Sequence, residues 1–331
     1  MIGAGFFAQF HADGWKRVEG ARIVAVADTD RDRARAFADQ WDIPAIYDDA
    51  AGMLDREKPD FADIVTRPET HLALVRMAAE RGLHIVCQKP MAPTVDECRE
   101  MVRLARGAGV RLMIHENWRW QPWYREVKRL IDAGALGRIY HVAFKMRTGD
   151  GRGPEPFPAQ PYFRAMPRLL IYETAVHFLD TFRFLAGEIA SVMCETQRIN
   201  PAIAGEDYAL IQLRFESGAR GLIDANRTSG PVPSPLAFGE LAVEGGLASV
   251  RMDHEGDLYL KHYPGGERLH PFEKPLIGYK GDSARAVQQH IIDCLRSGAR
   301  AESEGEEYLK TVALVEACYR SAASGAPEAP R

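Results

Sequence analysis

The sequence predicts an α/β chain of two domains. The first, over residues 1–118, is a doubly wound parallel sheet; the second, over 119–331, is an α+β domain with a large, mostly antiparallel open sheet. Three observations carry this prediction. Short apolar runs alternate with helical patterns as far as Asn117. A glycine-rich turn, Gly3-Ala4-Gly5-Phe6-Phe7-Ala8, opens the chain. Beyond Pro122, strand-like stretches follow one another without helices between them.

The opening strand is reduced to Met1 and Ile2, whereas a first strand normally needs about 5 residues. Either it is unusually short or the numbered chain begins inside it. Residues 21–27 then read as a buried strand and 31–41 as a charged helix. Strands at 61–65, 84–87 and 111–115 alternate with helices at 69–81 and 94–108. The second of these helices carries Thr94 as N-cap and Glu97 three residues on, a capping box. Strand–helix repeats of this kind gather the carboxyl ends of the strands, and their loops, at one ligand-binding edge.

In the second half, a helix over 123–133 and a strand over 139–146 precede a loop rich in Gly and Pro, 149–167. An apolar helix follows over 170–185. Strands are expected at 191–198, 208–215, 220–226, 236–244, 247–252 and 257–262, and helices at 283–297 and 306–324. The tail from Ala323 is expected to fray. Helices cover one face of such a sheet and leave the other bare, so a homo-oligomer, a homodimer or homotetramer through the open sheet, is expected.

The chain has 331 residues, with 46% hydrophobic and 27% charged, which suits ordinary globular domains. A formal net charge of -4 gives no basic field for nucleic acid or an anionic membrane. No apolar run approaches the roughly 20 residues of a bilayer span. Cysteines 87, 98, 194, 294 and 318 are scattered without metal spacing, so no metal is expected and a reducing cytoplasmic location is.

Gly3-x-Gly5-x-x-Ala8 allows a tight turn and close backbone approach to a pyrophosphate, with Phe6 and Phe7 in the same turn. Asp28 ends the second strand, where a carboxylate takes adenosine ribose hydroxyls. It also repels a 2′-phosphate, so NAD is expected over NADP, although Arg31 and Arg33 lie near enough to weaken the preference. Lys89 closes the run Ile85-Val86-Cys87-Gln88 and is locked against Pro90. A cation at that strand end can polarise a hydroxyl or carbonyl beside a nicotinamide, although most lysines simply face solvent. Glu173 and His177 stand four apart, and on a helix they would share one face. A histidine tuned near neutral pH suits general acid–base work; the plainer alternative is a hydrogen-bonded core histidine. Asn117 and Trp118 follow a strand at the ligand edge, and Tyr162 and Arg164 lie in the long loop. All four are candidate contacts to a polyol, with hinge and loop anchoring as the plainer roles.

Together these segments resemble the Gfo/Idh/MocA family of NAD(P)-dependent sugar and cyclitol dehydrogenases over nearly the whole chain. The opening glycines with His11 resemble G-x-G-x-x-A-x-x-H, and Thr66-Arg67-Pro68-Glu69-Thr70-His71 resembles T-P-P-x-x-H. Cys87-Gln88-Lys89-Pro90 resembles C-E-K-P, and Glu173 to His177 resembles D-x-x-x-H. The resemblance implies a Rossmann domain plus a sheet domain, with Thr66, Arg67, His71 and Gln88 beside the cofactor. It also implies that Lys89, His177 and Glu173 act on the substrate, and that the Lys89–Pro90 bond is cis. Three residues depart from the pattern. Gln88 removes a charge beside Lys89, Glu173 reaches one methylene further than aspartate, and Arg67 replaces a proline.

The expected activity is NAD-dependent hydride transfer at a secondary alcohol or ketone of a sugar, sugar acid or cyclitol. Two alternatives stay open at this point. One is a redox-neutral reaction driven by transient oxidation; the other is a non-catalytic binder responsive to sugar and NAD.

Overall fold

In the computed structural model, residues 1–230 and 236–331 are described. They form two units, Met1–Trp120 with Leu276–Val312, and Gln121–Pro275 with Ala313–Arg331. The expected boundary at 118/119 lies two residues from the observed one. Residues 276–312 return to the first unit, however, where the sequence reading had them in the second.

The first unit runs α1 (Ala8–Arg17), β1 (Ala25–Ala27), α2 (Arg31–Trp41), β2 (Ala45–Tyr47), α3 (Ala50–Glu57), β3 (Phe61–Ile64), α4 (Pro68–Ala79), β4 (His84–Gln88), α5 (Val95–Gly107) and β5 (Leu112–His115). Strands β1 and β2 pair in parallel, as do β3, β4 and β5. Ile2 joins the two sets, bridging Ala27 on one side and Ile64 on the other. The centre of the sheet is therefore one residue deep at that point, flanked by the buried run Ala25, Val26 and Ala27. The helices begin where short polar side chains can satisfy free backbone N–H groups. Asp30 caps α2, Asp49 caps α3, and the Thr94–Glu97 capping box is present on α5. The helix Ser283–Ser297 approaches α1 closely at Gly14, where a Cβ would lie 2.0 Å from Gln288 Oε1.

The second unit continues with α6 (Pro122–Asp132), β6 (Ile139–Arg147), α7 (Val176–Ala186), β7 (Ile189–Gln197), β8 (Tyr208–Phe215), β9 (Arg220–Asn226), β10 (Gly239–Gly245), β11 (Ala248–Met252), β12 (Leu258–His262) and β13 (Glu267–His270). Its eight strands lie in the order β13-β12-β11-β10-β6-β9-β8-β7. Every neighbouring pair is antiparallel except β6 with β9. The fold class expected from the sequence is borne out. Alternate residues of β10 are buried, the period-2 pattern of a sheet packed on one face. Phe178 of α7 packs on Phe144 of β6, with ring centroids 4.4 Å apart.

Three details differ from expectation. The helix expected over 170–185 starts as a π-helical turn, Leu170–Ala175, before α7 begins. Strands β2 and β13 and helix α3 are additional elements, all short. The tail does not fray: Val192 and Glu328 exchange two backbone hydrogen bonds, of 2.9 and 2.8 Å, at β7.

Phe178 is 1% exposed, so Phe178→Ala should leave a cavity costing about 3–5 kcal/mol. The expected reading is a lower urea midpoint with an unchanged slope.

Candidate active site

Gly3 sits at φ +98°, and a Cβ there would lie 2.4 Å from Val65 O, so only glycine fits the turn. At Gly5 nothing lies within 4 Å of the corresponding Cβ position, so the backbone there faces open space. Phe6 is 47% exposed, Phe7 meets Tyr279 edge-on at 5.2 Å, and Ala8 is fully buried at the start of α1. No side chain caps α1, and its first turn holds no acid. An exposed glycine turn feeding an uncapped helix start fits the pyrophosphate of a dinucleotide, whose charge the helix N–H groups would meet.

Asp28 follows β1 and is held from three directions. Its carboxylate accepts the N–H groups of Ala4 at 2.8 Å and Asp30 at 2.9 Å, and pairs with Arg33 at 2.7 Å. Burial pushes its pKa up, but Arg33 and the two N–H groups outweigh burial and hold it below the ordinary value. The ion pair also occupies Arg33, one of the two arginines expected to weaken the NAD preference. Arg31 lies 4.0 Å from Asp48 on the surface.

Thr66 follows β3, with its hydroxyl 2.7 Å from that of Thr70. Arg67 is the N-cap residue of α4, and Pro68 takes the first helical position. His71 is completely buried, with Nδ1 3.0 Å from Met91 O and Nε2 3.1 Å from Thr66 O. Burial lowers its pKa against the pull of these carbonyls. Whichever nitrogen carries the proton, the ring spans the loop after β3 and the turn after β4. That turn holds Lys89, and the Lys89–Pro90 bond is cis, as expected. Gln88 is buried with its side chain committed on both ends: Oε1 accepts the Lys89 N–H at 2.6 Å, and Nε2 lies 3.1 Å from His11 Nε2. Asn117 is buried and donates to Ser283 Oγ at 2.9 Å; Trp118 is buried in the short 3₁₀ turn Trp118–Trp120.

In the second unit, Glu173 lies in the π-helical turn and His177 in the first turn of α7, so ordinary α-helical spacing does not describe the pair. His177 is buried. Glu173 accepts the Thr174 hydroxyl at 2.6 Å and the Arg227 guanidinium at 3.3 Å. Arg227 was missed by the sequence reading. It is 3% exposed, bonds Asp150 at 2.6 Å as well as Thr174, and stands over the rings of Phe157 and Phe163. An arginine directly after an apolar strand was the available signal. Arg164 donates through Nε to Pro156 O at 2.7 Å, the loop-anchoring contact, while Tyr162 is 39% exposed and accepts from Gln160.

A cavity of about 770 Å³ in the first unit is lined by Met1, Ala25, Met53, Asp60, His84 and Ile292. It lies at the amino ends of the strands, opposite the loops carrying Asp28, Thr66 and Lys89. Ligands of parallel α/β sheets bind at the carboxyl ends, so the cradle described above is a different place.

Residues 1–116 match the family model described as "Oxidoreductase family, NAD-binding Rossmann fold", and residues 124–240 match the "GFO/IDH/MocA C-terminal domain". The D-apiose dehydrogenase of Paraburkholderia graminis is 37% identical across 98% of this chain and 87% of its own length. The chain belongs to the Gfo/Idh/MocA family. Another relative, the D-apiose dehydrogenase of Rhizobium rhizogenes, is 35% identical over 98% of this chain and 95% of its own. A crystal structure of an oxidoreductase from Agrobacterium radiobacter, in complex with NAD+, L-tartaric acid and magnesium, superposes with a TM-score of 0.93. It is 35% identical and covers 99% of this chain and 96% of its own. This Gfo/Idh/MocA protein is an NAD-dependent oxidoreductase acting on CH–OH groups, of the sugar and cyclitol dehydrogenase class. Among the described residues no helix is long and apolar enough to cross a membrane.

Asp28→Ala should release Arg33 and remove the carboxylate expected at the ribose hydroxyls. Turnover per KM with NAD should fall about tenfold to a hundredfold, the equivalent of roughly 1.5–3 kcal/mol. Activity with NADP should rise; steady-state kinetics with both cofactors reads the ratio.

Proposed function

We propose that this enzyme oxidises a secondary alcohol of a small sugar, with Lys89 and His177 as the catalytic pair. The reading is carried by Lys89, which directly follows β4 and is held through Gln88 and His71 on the edge that also bears the glycine turn and Asp28. When bound, NAD supplies the hydride acceptor. Lys89 hydrogen-bonds the reacting hydroxyl and stabilises alkoxide character as it develops. His177 takes the hydroxyl proton, so one hydride and one proton leave the carbinol and a carbonyl remains. Glu173, charged beside Arg227, orients the imidazole. Asn117, Trp118, Tyr162 and Arg164 are proposed to line the sugar site, and Thr66, Arg67 and His71 to border the cofactor.

The substrate proposed first is a pentose of the D-apiose kind, a choice supported by the names of two relatives that align with almost the whole chain. We also propose a homo-oligomer formed through the open sheet, supported by the exposure of Tyr140 at 47%, Leu247 at 60% and Leu269 at 61%. Residence in the cytoplasm is proposed from the five buried cysteines, none in a disulfide.

Incubation with NAD and a panel of pentoses, aldonates and inositols should accumulate NADH, read at its near-ultraviolet absorbance. Sugar conversion without NADH would instead indicate redox-neutral chemistry. Lys89→Ala and His177→Ala should each lower kcat by about 10²–10⁴-fold while calorimetric NAD binding persists. Near-normal turnover in either variant removes that residue from the mechanism.

A further inference from the structure

Beneath the Lys89 turn lies a buried polar chain whose proton positions can be deduced one after another. The Lys89 backbone N–H can only donate, and it lies 2.6 Å from Gln88 Oε1. That atom is therefore the carbonyl oxygen, and the amide orientation of Gln88 is set. Its NH₂ group then donates to His11 Nε2 at 3.1 Å, so Nε2 must be an acceptor with no proton of its own. The ring proton consequently sits on Nδ1, which donates to the Asp63 carboxylate at 3.0 Å. Trp15 Nε1 donates to the same carboxylate at 2.7 Å. His11 is 0% exposed, Asp63 4% and Gln88 5%, so water has little part in these bonds.

A doubly protonated His11 would turn two donors against each other at Gln88. We infer that Gln88 is a positioning residue that locks His11 as the neutral Nδ1–H tautomer, tying α1 to the Lys89 turn through a chain that exchanges no proton. The inference rests on the proposed role of Lys89, and it gives Gln88 a function in place of the lost charge. The groups around His11 are consistent with it. His115 of β5 stacks on the ring at 3.8 Å, and burial pushes its pKa well down, so His115 brings no charge to His11. Gln288 donates to His11 O at 3.1 Å and leaves the imidazole alone. Cys87, buried on β4, has its thiol pKa pushed up by burial and then by Asp63. Burial lowers the pKa of the Met1 amino group to about 6 against the opposing pull of Asp63, and the group donates to Ala25 O at 2.8 Å.

Glutamate at position 88 would reverse the logic. Its carboxylate would accept both the Lys89 N–H and a proton from His11 Nε2, drawing a second proton onto the ring between two carboxylates. That proton is held at low pH and lost as pH rises, and its loss sets a lone pair against a carboxylate below Lys89.

The test is a two-bond ¹H–¹⁵N spectrum of deuterated, ¹⁵N-histidine-labelled enzyme between about pH 6 and 9, with His11→Gln to assign the signal. The wild type should show one Nδ1–H tautomer throughout. An Nε2–H tautomer or an imidazolium would overturn the inference. Gln88→Glu should show a doubly protonated His11 at neutral pH and a loss of kcat on the alkaline side that the wild type lacks. A neutral His11 with an unchanged pH profile in that variant would equally overturn it. If Gln88→Glu does not fold, the wild-type spectrum decides alone. Absence of sugar-dependent NADH formation would defeat the proposed function and leave the tautomer readable.

Discussion

A buried carboxylate must be supplied with donors, and Asp63 meets that requirement in a way that organises the first unit. It takes Trp15 and His11 from two turns of α1, and through His11 it reaches Gln88 and the amide of Lys89. Leaving a buried charge without these partners would cost several kcal/mol, so the helix, the third strand and the fourth strand are obliged to keep one arrangement. The glycine turn sits at one end of this tie and the turn that carries Lys89 at the other. The relative placement of these two loops follows from a demand for hydrogen bonds, made far below the surface.

The second unit handles charge differently. Arg227 is surrounded by two carboxylates, a hydroxyl and two aromatic faces, which together replace the water it gave up. Glu173 is thereby kept as a partner of a cation that lies outside its own helix. The π-helical turn is part of the same arrangement. Glu206 accepts the N–H groups of Leu169 and Ile171 and the hydroxyl of Tyr319 at the point where that turn begins. Wide turns of this kind recur at functional sites because they re-aim side chains that an α-helix would place elsewhere.

How much of this could be read from the sequence depended on how local each signal is. The Thr94–Glu97 box, the helix at 31–41 and the strand at 84–87 declare themselves within a few residues, and all three are present. The place of Lys89 just past a strand end was legible because an apolar run ended abruptly before a proline. The partners of Glu173 and Gln88 were not, since Arg227 and His11 come from 54 and 77 residues away. The return of 276–312 was also hidden: the amphipathic pattern of Ser283–Ser297 says that one face is buried, but not against which unit. The π turn went unseen because its composition is that of an ordinary apolar helix.

The bridge between Val192 and Glu328 has a consequence for the rim of the large sheet. Strand β7 is its last member, and an unpaired last strand is a template for any passing chain. By laying a few residues of its own tail there, with Arg320 gripping Glu328, the protein stitches a hem along that selvedge. Proteolytic trimming of those residues would unpick it at Val192, leaving that stretch of border open to adhesion by strangers.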